Sequence, residues 1–267
     1  MRRRHLQLLA AVAANVPLLP CSRAIPVPIL HCHACPLATG ACPVGTLQHF
    51  IILGRPPLFL LGIVGMVTAL AGRATCAFLC PFGLVQEWLR QAGQKLGIRE
   101  RRVSNAHAWT RWAVLGGLVV AAPSVLGEPW FCKLCPNGTL FAGIPLLILD
   151  PALRPLAGPL FFVKLLLAAG FIGSALLVRR PFCRFICPYG AAIGLGNRLA
   201  WSRIQHEPDQ CTGCGSCRDR CPVDLPVPAG VGSSHCLQCR ECAGCPAVKV
   251  VHGWRRRPAG VEGEHSR

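Results

Sequence analysis

Charge is scarce in this sequence. Asp, Glu, Lys and Arg make up 15% of its 267 residues, hydrophobic residues make up 52%, and the mean hydropathy is +0.44. A soluble domain of this length needs more charge to cover its surface, so membrane residence is the first expectation. Acidic residues are the scarcest, 11 against 28 Lys and Arg, for a formal net charge of +17. Three motifs are missing as well: Cys-x2-Cys-His, Gly-x-Gly-x2-Gly and the P-loop. Their absence argues against attached c-type haem, a Rossmann nucleotide site and ATP hydrolysis.

Long apolar runs are present. Four candidate spans are read at 6–20, 50–71, 112–126 and 159–178. The first and third are short for a bilayer core of about 30 Å, which takes about 20 residues, and their flanks are expected to extend them. The run 140–149 holds Pro145 and is too short to span, so a re-entrant or interfacial segment is expected there. Arg2, Arg3 and Arg4 precede the first span, seven basic residues lie between the second and third, and thirteen follow the fourth. The other two loops hold only Arg23, and Lys133 with Arg154. Basic loops stay inside, which puts both termini in the cytoplasm. The excess charge then reads as a topology signal with anionic-lipid contact, and nucleic acid is not the expected partner. An Arg-rich start before a short apolar core also describes a secretory signal peptide. An uncleaved span is preferred, because it keeps four spans with the basic loops inside.

After Trp201 the apolar runs stop and cysteines crowd. Cys211-x2-Cys214-x2-Cys217-x3-Cys221-Pro is the spacing of a bacterial [4Fe–4S] run, with zinc as the alternative for its Cys-x2-Cys steps. Gly213 and Gly215 let the backbone fold around sulfur. A second run follows with Cys236, Cys239, Cys242 and Cys245. Residues 205–251 thus resemble the two-cluster bacterial ferredoxins, in which the fourth cysteine of each run serves the other cluster. The resemblance implies one cluster on Cys211, Cys214, Cys217 and Cys245 and another on Cys236, Cys239, Cys242 and Cys221. It also implies short β hairpins and small helices. One departure is visible: the last gap of the second run is x2 where the family has x3, which shortens the reach of Cys245.

The membrane half repeats itself. Cys-Pro-x-Gly occurs at Cys42, Cys80, Cys135 and Cys187, and Cys-x3-Cys-Pro at Cys76/Cys80 and Cys183/Cys187. Each half reads span, outer loop with cysteines, span, inner Cys-x3-Cys-Pro, so a pseudo-twofold along the membrane normal is expected. Proline favours the first helical position, which makes the second cysteine an N-cap. The helix dipole, aided by Arg73 and Arg184, is then expected to lower that thiol's pKa. The plain alternative is buried small hydrophobes. The inner four, Cys76, Cys80, Cys183 and Cys187, converge on a metal or cluster, act as redox pairs, or line the interface with the ferredoxin part. The paired Cys-x3-Cys-Pro motifs resemble those of NapH-like membrane proteins, and beyond them MauN and the C-terminal part of NosR. That family implies four spans, an inside two-cluster ferredoxin domain and electron passage from quinol.

The fold class expected is therefore a membrane all-α four-helix bundle of two tandem two-helix halves (residues 1–200). A small α+β two-cluster ferredoxin-like domain (201–251) and a disordered tail (252–267) follow it. Outer cysteines Cys21, Cys32, Cys35, Cys42, Cys132 and Cys135 face an oxidising compartment if this is a bacterial inner membrane, and form disulfides by default. The alternative is a metal or cluster held by Cys32 or Cys35 with Cys42, Cys132 and Cys135. Sites on both faces suit electrons or reducing equivalents crossing the bilayer. Quinone contact has Lys164, His49, Trp109 and Trp112 as candidates, and His31 and His33 flank Cys32. The expected function is membrane-bound electron transfer between the quinol pool, or a membrane partner, and another redox protein. The alternatives are a thiol–disulfide reductant carrier and a cluster-dependent regulatory or maturation factor.

Overall fold

A computed structural model describes residues 3–16, 25–32, 34–156, 158–227 and 230–254. Cys21, His33 and the tail from residue 255 lie outside the described residues. Helix α1 (Arg3–Ala14) comes first. The first half of the repeat is α2 (Pro43–Ile52), α3 (Leu58–Ala71), α4 (Ala74–Phe78) and α5 (Pro81–Lys95). A continuous helix, α6 (Asn105–Leu126), leads into the second half: α7 (Trp130–Leu134), α8 (Pro136–Leu149), α9 (Pro159–Leu177), α10 (Pro181–Phe185) and α11 (Pro188–Gly194).

By length and composition, two described helices suffice to cross a membrane, α6 and α9. The span expected at 112–126 lies inside α6, which starts upstream at Asn105, and the one at 159–178 matches α9, ending at Leu177. The span expected at 50–71 is not one helix. Gly54 takes a left-handed φ of +63°, and Pro56 and Pro57 lack the N–H groups a helix needs, so the chain breaks between α2 and α3. The span expected at 6–20 starts earlier, at Arg3, and its helix ends at Ala14; residues 17–20 are outside the described set.

All four Cys-Pro-x-Gly copies start helices. Cys42, Cys80, Cys135 and Cys187 are extended N-caps, each with proline at the first helical position of α2, α5, α8 or α11. Proline's fixed φ and missing N–H suit that position alone, so the tetrapeptide is a helix-start signal used four times.

The loop before α2 folds back onto the helices. Ala41 N–H donates to Ile25 O (2.9 Å), Thr39 N–H to Ala14 O (3.1 Å), and Leu30, His31, Cys35 and Cys42 are buried. Leu30 and Cys42 share one apolar core with Cys76, Cys80 and Cys187.

The ferredoxin part is closed by an antiparallel pair, β1 (Ser202–His206) with β2 (Val248–His252), registered Ser202 to His252 and His206 to Val248; among the described residues between them lie a 3-10 turn (Pro208–Gln210) and a short helix, α12 (Ser216–Asp219). His252, read as the first tail residue, is thus paired in the sheet, and its ring lies 5.0 Å from that of Trp201. This lobe is docked by basic and amide side chains. Arg179 Nη1 donates to the carbonyls of Asp219 (2.6 Å) and Cys221 (3.0 Å), and Asn197 Nδ2 to those of Ser233 (2.8 Å) and Cys236 (2.7 Å). Arg3 on α1 reaches Glu241 at 2.8 Å and Glu87 on α5 at 2.7 Å. Cys221 and Cys236 join the same core as the cysteines of the helical half.

Candidate functional site

In the ferredoxin lobe, Cys221, Cys236, Cys239 and Cys242 converge, every sulfur a near neighbour of the other three. They line one small apolar pocket with Ile204, Val223 and Leu237. Two amides turn inward: Leu225 N–H donates to Cys221 Sγ (3.5 Å) and Gln238 N–H to Cys236 Sγ (3.4 Å). Burial pushes the Cys239 and Cys242 thiols up to about 12. The residues present fit a [4Fe–4S] cluster: four thiols, an apolar wall and amides aimed at sulfur. Cys211 and Cys214 are exposed and Cys217 and Cys245 half-buried; Cys245 packs against the small core of Ile204, Val231 and Val248.

The two cysteine runs share a backbone shape that their sequences hide. Gly213 and Gly215 flank Cys214 with φ of +70° and +72°; Gln238 and Arg240 flank Cys239 with +52° and +63°. A left-handed conformation strains a side-chain-bearing residue, and such strain persists where the surroundings impose it. Arg240→Gly is therefore expected to leave iron content intact and to raise the thermal unfolding midpoint, by up to about 1 kcal/mol of stability.

A second quartet lies beneath it. Cys76, Cys80, Cys183 and Cys187 are all buried, and again all six sulfur pairs are near neighbours. Two arginines cross between the halves. Arg73, three residues before Cys76, donates Nη2 to Cys183 O (3.2 Å); Arg180, three residues before Cys183, donates Nη1 to Cys76 O (3.3 Å). Each lies over the other half's Cys-Pro-x-Gly glycine: a Cβ on Gly190 would stand 2.8 Å from Arg73 Nη2, and one on Gly83 3.2 Å from Arg180 Nη1. A side chain at Gly83 or Gly190 would crowd the other half's arginine. Gln86 on α5 completes the set, donating Nε2 to Cys183 Sγ (3.2 Å) and accepting from Phe182 N–H (3.2 Å).

The charge here is unbalanced. Arg180 pairs with Glu87 at 2.6 Å, but among the described residues no carboxylate pairs with Arg73 or Arg111, both fully buried near each other and near the quartet. Arg73 Nε and Arg111 Nε and Nη1 have no hydrogen-bond partner. Buried unpaired cations are costly, so the site asks for negative charge. Four thiolates around an iron–sulfur core supply it, and the residues fit that group. The expectation that the dipole lowers the Cys80 and Cys187 pKa is overturned. Burial outweighs the amide contacts, pushing Cys80 up to about 12 and Cys187 well above its usual value. Arg184, expected beside these sulfurs, instead donates to Asn105 Oδ1 (3.1 Å) and to Val103 O; Arg180 takes the place assigned to it.

A third quartet gathers the other cysteines. Cys32, Cys42, Cys132 and Cys135 are mutual near neighbours, with Cys35 set aside against Asn15 Oδ1 (3.7 Å). None of the described cysteines is in a disulfide, the default expected for this set. Lys164 and His49 line the same cavity, about 320 Å³. Trp109 is exposed and Trp112 lies under Arg111 at 5.6 Å, both away from this cavity's lining. Among the described residues, no three His, Cys, Asp or Glu side chains are close enough to share one metal ion. Wrapping a polynuclear cluster needs no such closeness.

A 4Fe-4S binding domain model matches residues 53–99, 109–147 and 160–204, and a second 4Fe-4S binding domain model matches 204–226. The methylamine utilization ferredoxin-type protein MauN of Paracoccus denitrificans is 32% identical over 64% of this chain and 57% of its own length. The regulatory protein NosR of Stutzerimonas stutzeri is 23% identical over 72% of this chain and 26% of its own. An uncharacterized protein of Methanocaldococcus jannaschii is 24% identical over 75% of this chain and 81% of its own. No solved structure matches.

Proposed function

Because the chain belongs to the NapH-like family of ferredoxin-type proteins, we propose that it is a membrane-bound iron–sulfur electron-transfer protein working between the quinol pool and another redox protein. The observation that carries this reading is the line of cysteine quartets in one continuous core. Cys221/Cys236/Cys239/Cys242 comes first and Cys76/Cys80/Cys183/Cys187 lies below it, with Arg180 beside both Cys183 and Cys239. Bound clusters supply single-electron storage at each quartet. The protein's own part is to hold the sulfurs, exclude water and compensate charge through Arg73, Arg111 and Arg180.

The two ends differ in a way that suits two partners. Cys211, Cys214, Cys217 and Cys245 are exposed or half-buried, which suits a second cluster that meets a redox protein. At the other end an apolar groove of about 480 Å³ runs between α8 and α9, walled by Leu146, Leu147, Leu160 and Phe161. Lys164 closes it and also lines the sulfur cavity behind it. A quinol ring suits the groove, with Lys164 in reach of its oxygen. The protein sits in a bacterial inner membrane as a four-segment bundle, α1 and the broken α2–α3 pair completing what α6 and α9 begin, and the basic lobe side is cytoplasmic.

The test is reduction by a quinol analogue in membranes, followed by EPR. Quinol is expected to produce the reduced iron–sulfur signals that dithionite produces. Signals that dithionite reduces and quinol never does would sink the quinol reading.

A further inference from the structure

From the way the third quartet repeats the plan of the second, we infer that Cys32, Cys42, Cys132 and Cys135 hold an iron–sulfur cluster of their own. In the Cys76/Cys80/Cys183/Cys187 set, each half gives one Cys-Pro N-cap and one partner cysteine, and Gln86, six residues after Cys80, touches Cys183 of the other half. In the Cys32/Cys42/Cys132/Cys135 set, each half again gives one Cys-Pro N-cap and one partner. Gln48, six residues after Cys42, meets Cys132 Sγ of the other half at 3.1 Å, accepting the thiol proton where Gln86 donates its N–H. Gln48 is fully buried and anchored by Nε2 to Leu118 O at 2.9 Å, so a polar side chain is held at this site at the expense of apolar packing.

Two further observations point to a ligand. The sulfurs border a cavity of about 320 Å³ rather than packing against one another as apolar filler. Lys164 lies beside Cys32 and Cys132 and offsets the negative charge of a thiolate-bound cluster. Soft thiolate ligands select iron–sulfur clusters, zinc or copper(I). The single ions are disfavoured, since no three of these groups are spaced to share one.

The two buried sites are also adjacent. The Leu30 amide faces Cys80 and the His31 amide faces Cys42, so one residue of backbone, about 3.8 Å between Cα atoms, separates the contacts of one quartet from those of the other. The site therefore lies between the apolar groove and the inner quartet, where it closes the gap in the electron path. Loading replaces four S–H bonds by four S–Fe bonds and releases four protons, with no net oxidation when a preformed cluster is delivered. Placing this site next to a quinol rests on the functional reading above; cluster binding itself does not.

The experiment compares full-length protein, purified without oxygen, with Cys32→Ser/Cys132→Ser, Cys132→Ala and Cys35→Ser variants. The first two are expected to lose about four irons and four sulfides per chain while keeping the ferredoxin EPR signals, and Cys35→Ser to lose none. Unchanged iron in either quartet variant that keeps the ferredoxin signals overturns the inference. So does a wild-type chain whose denatured mass shows any of these four cysteines in a disulfide, whatever the variants do. Quinol reduction failing while the iron loss is observed would remove the functional reading and leave this site standing.

Discussion

Cys76→Ser/Cys183→Ser is expected to remove about four irons per chain and to cut the ferredoxin lobe off from quinol, while dithionite still reduces the lobe. Two of four sulfurs go, one from each half, and serine in their place is a poor ligand for iron. The lobe's own cysteines are untouched, so its EPR signals persist. Electrons entering from the groove would then face the core formed by Phe82, Phe171 and Phe182 with no redox centre inside it. The measurement is the rate of lobe reduction by a quinol analogue, expected to fall to background. A variant that keeps full iron and full quinol reduction would reduce the inner cysteines to packing.

The second large effect is Arg73→Gln. Arg73 donates to the carbonyls of Ser234 (3.0 Å), His235 (3.1 Å) and Cys183 (3.2 Å), so it ties the lobe, the second half and its own half together. Glutamine is too short to reach all three. Each buried carbonyl left unpaired costs about 1–3 kcal/mol, so a loss of about 3 kcal/mol or more is expected in unfolding experiments in detergent. The loss is expected to be larger with iron bound than after its removal, because the cation also balances the cluster's charge. Equal loss in both forms would mean that Arg73 is a structural clamp alone. Arg180→Gln is expected to cost stability too, since it leaves the Glu87 carboxylate with Arg3 and Arg4 as its remaining cations.

Much of this was legible as spacing. The cysteine runs after residue 210 announce an iron–sulfur lobe, because ligands that wrap one cluster must recur at short fixed intervals. Cys-Pro-x-Gly marks a helix start, and all four copies start helices, whereas the Cys-Pro pairs at Cys35, Cys221 and Cys245, which lack the glycine, start none. What could not be read was anything set by contacts between the halves. Hydropathy averages over windows, so it passed across the single left-handed Gly54 and the two prolines that divide α2 from α3. Local dipole arguments favoured a lowered thiol pKa at Cys80 because desolvation depends on neighbours from other elements. The residues missed, Arg180, Gln48 and Gln86, do have a signal. The motifs Arg-x2-Cys-x3-Cys-Pro-x-Gly and Cys-Pro-x-Gly-x2-Gln each occur twice. Reading only the cysteines hid them. The fold-back of residues 25–42 onto the helices had no local signal, since it follows from burying Leu30 and His31 between two quartets.

Iron and acid-labile sulfide per chain, measured on full-length protein purified without oxygen, tests most directly the claim that the apolar half of the molecule is itself an iron–sulfur protein. The account predicts about sixteen irons per chain, four for each cysteine quartet. About eight or fewer, all accounted for by ferredoxin-type EPR signals, would confine the iron to the C-terminal lobe and contradict it.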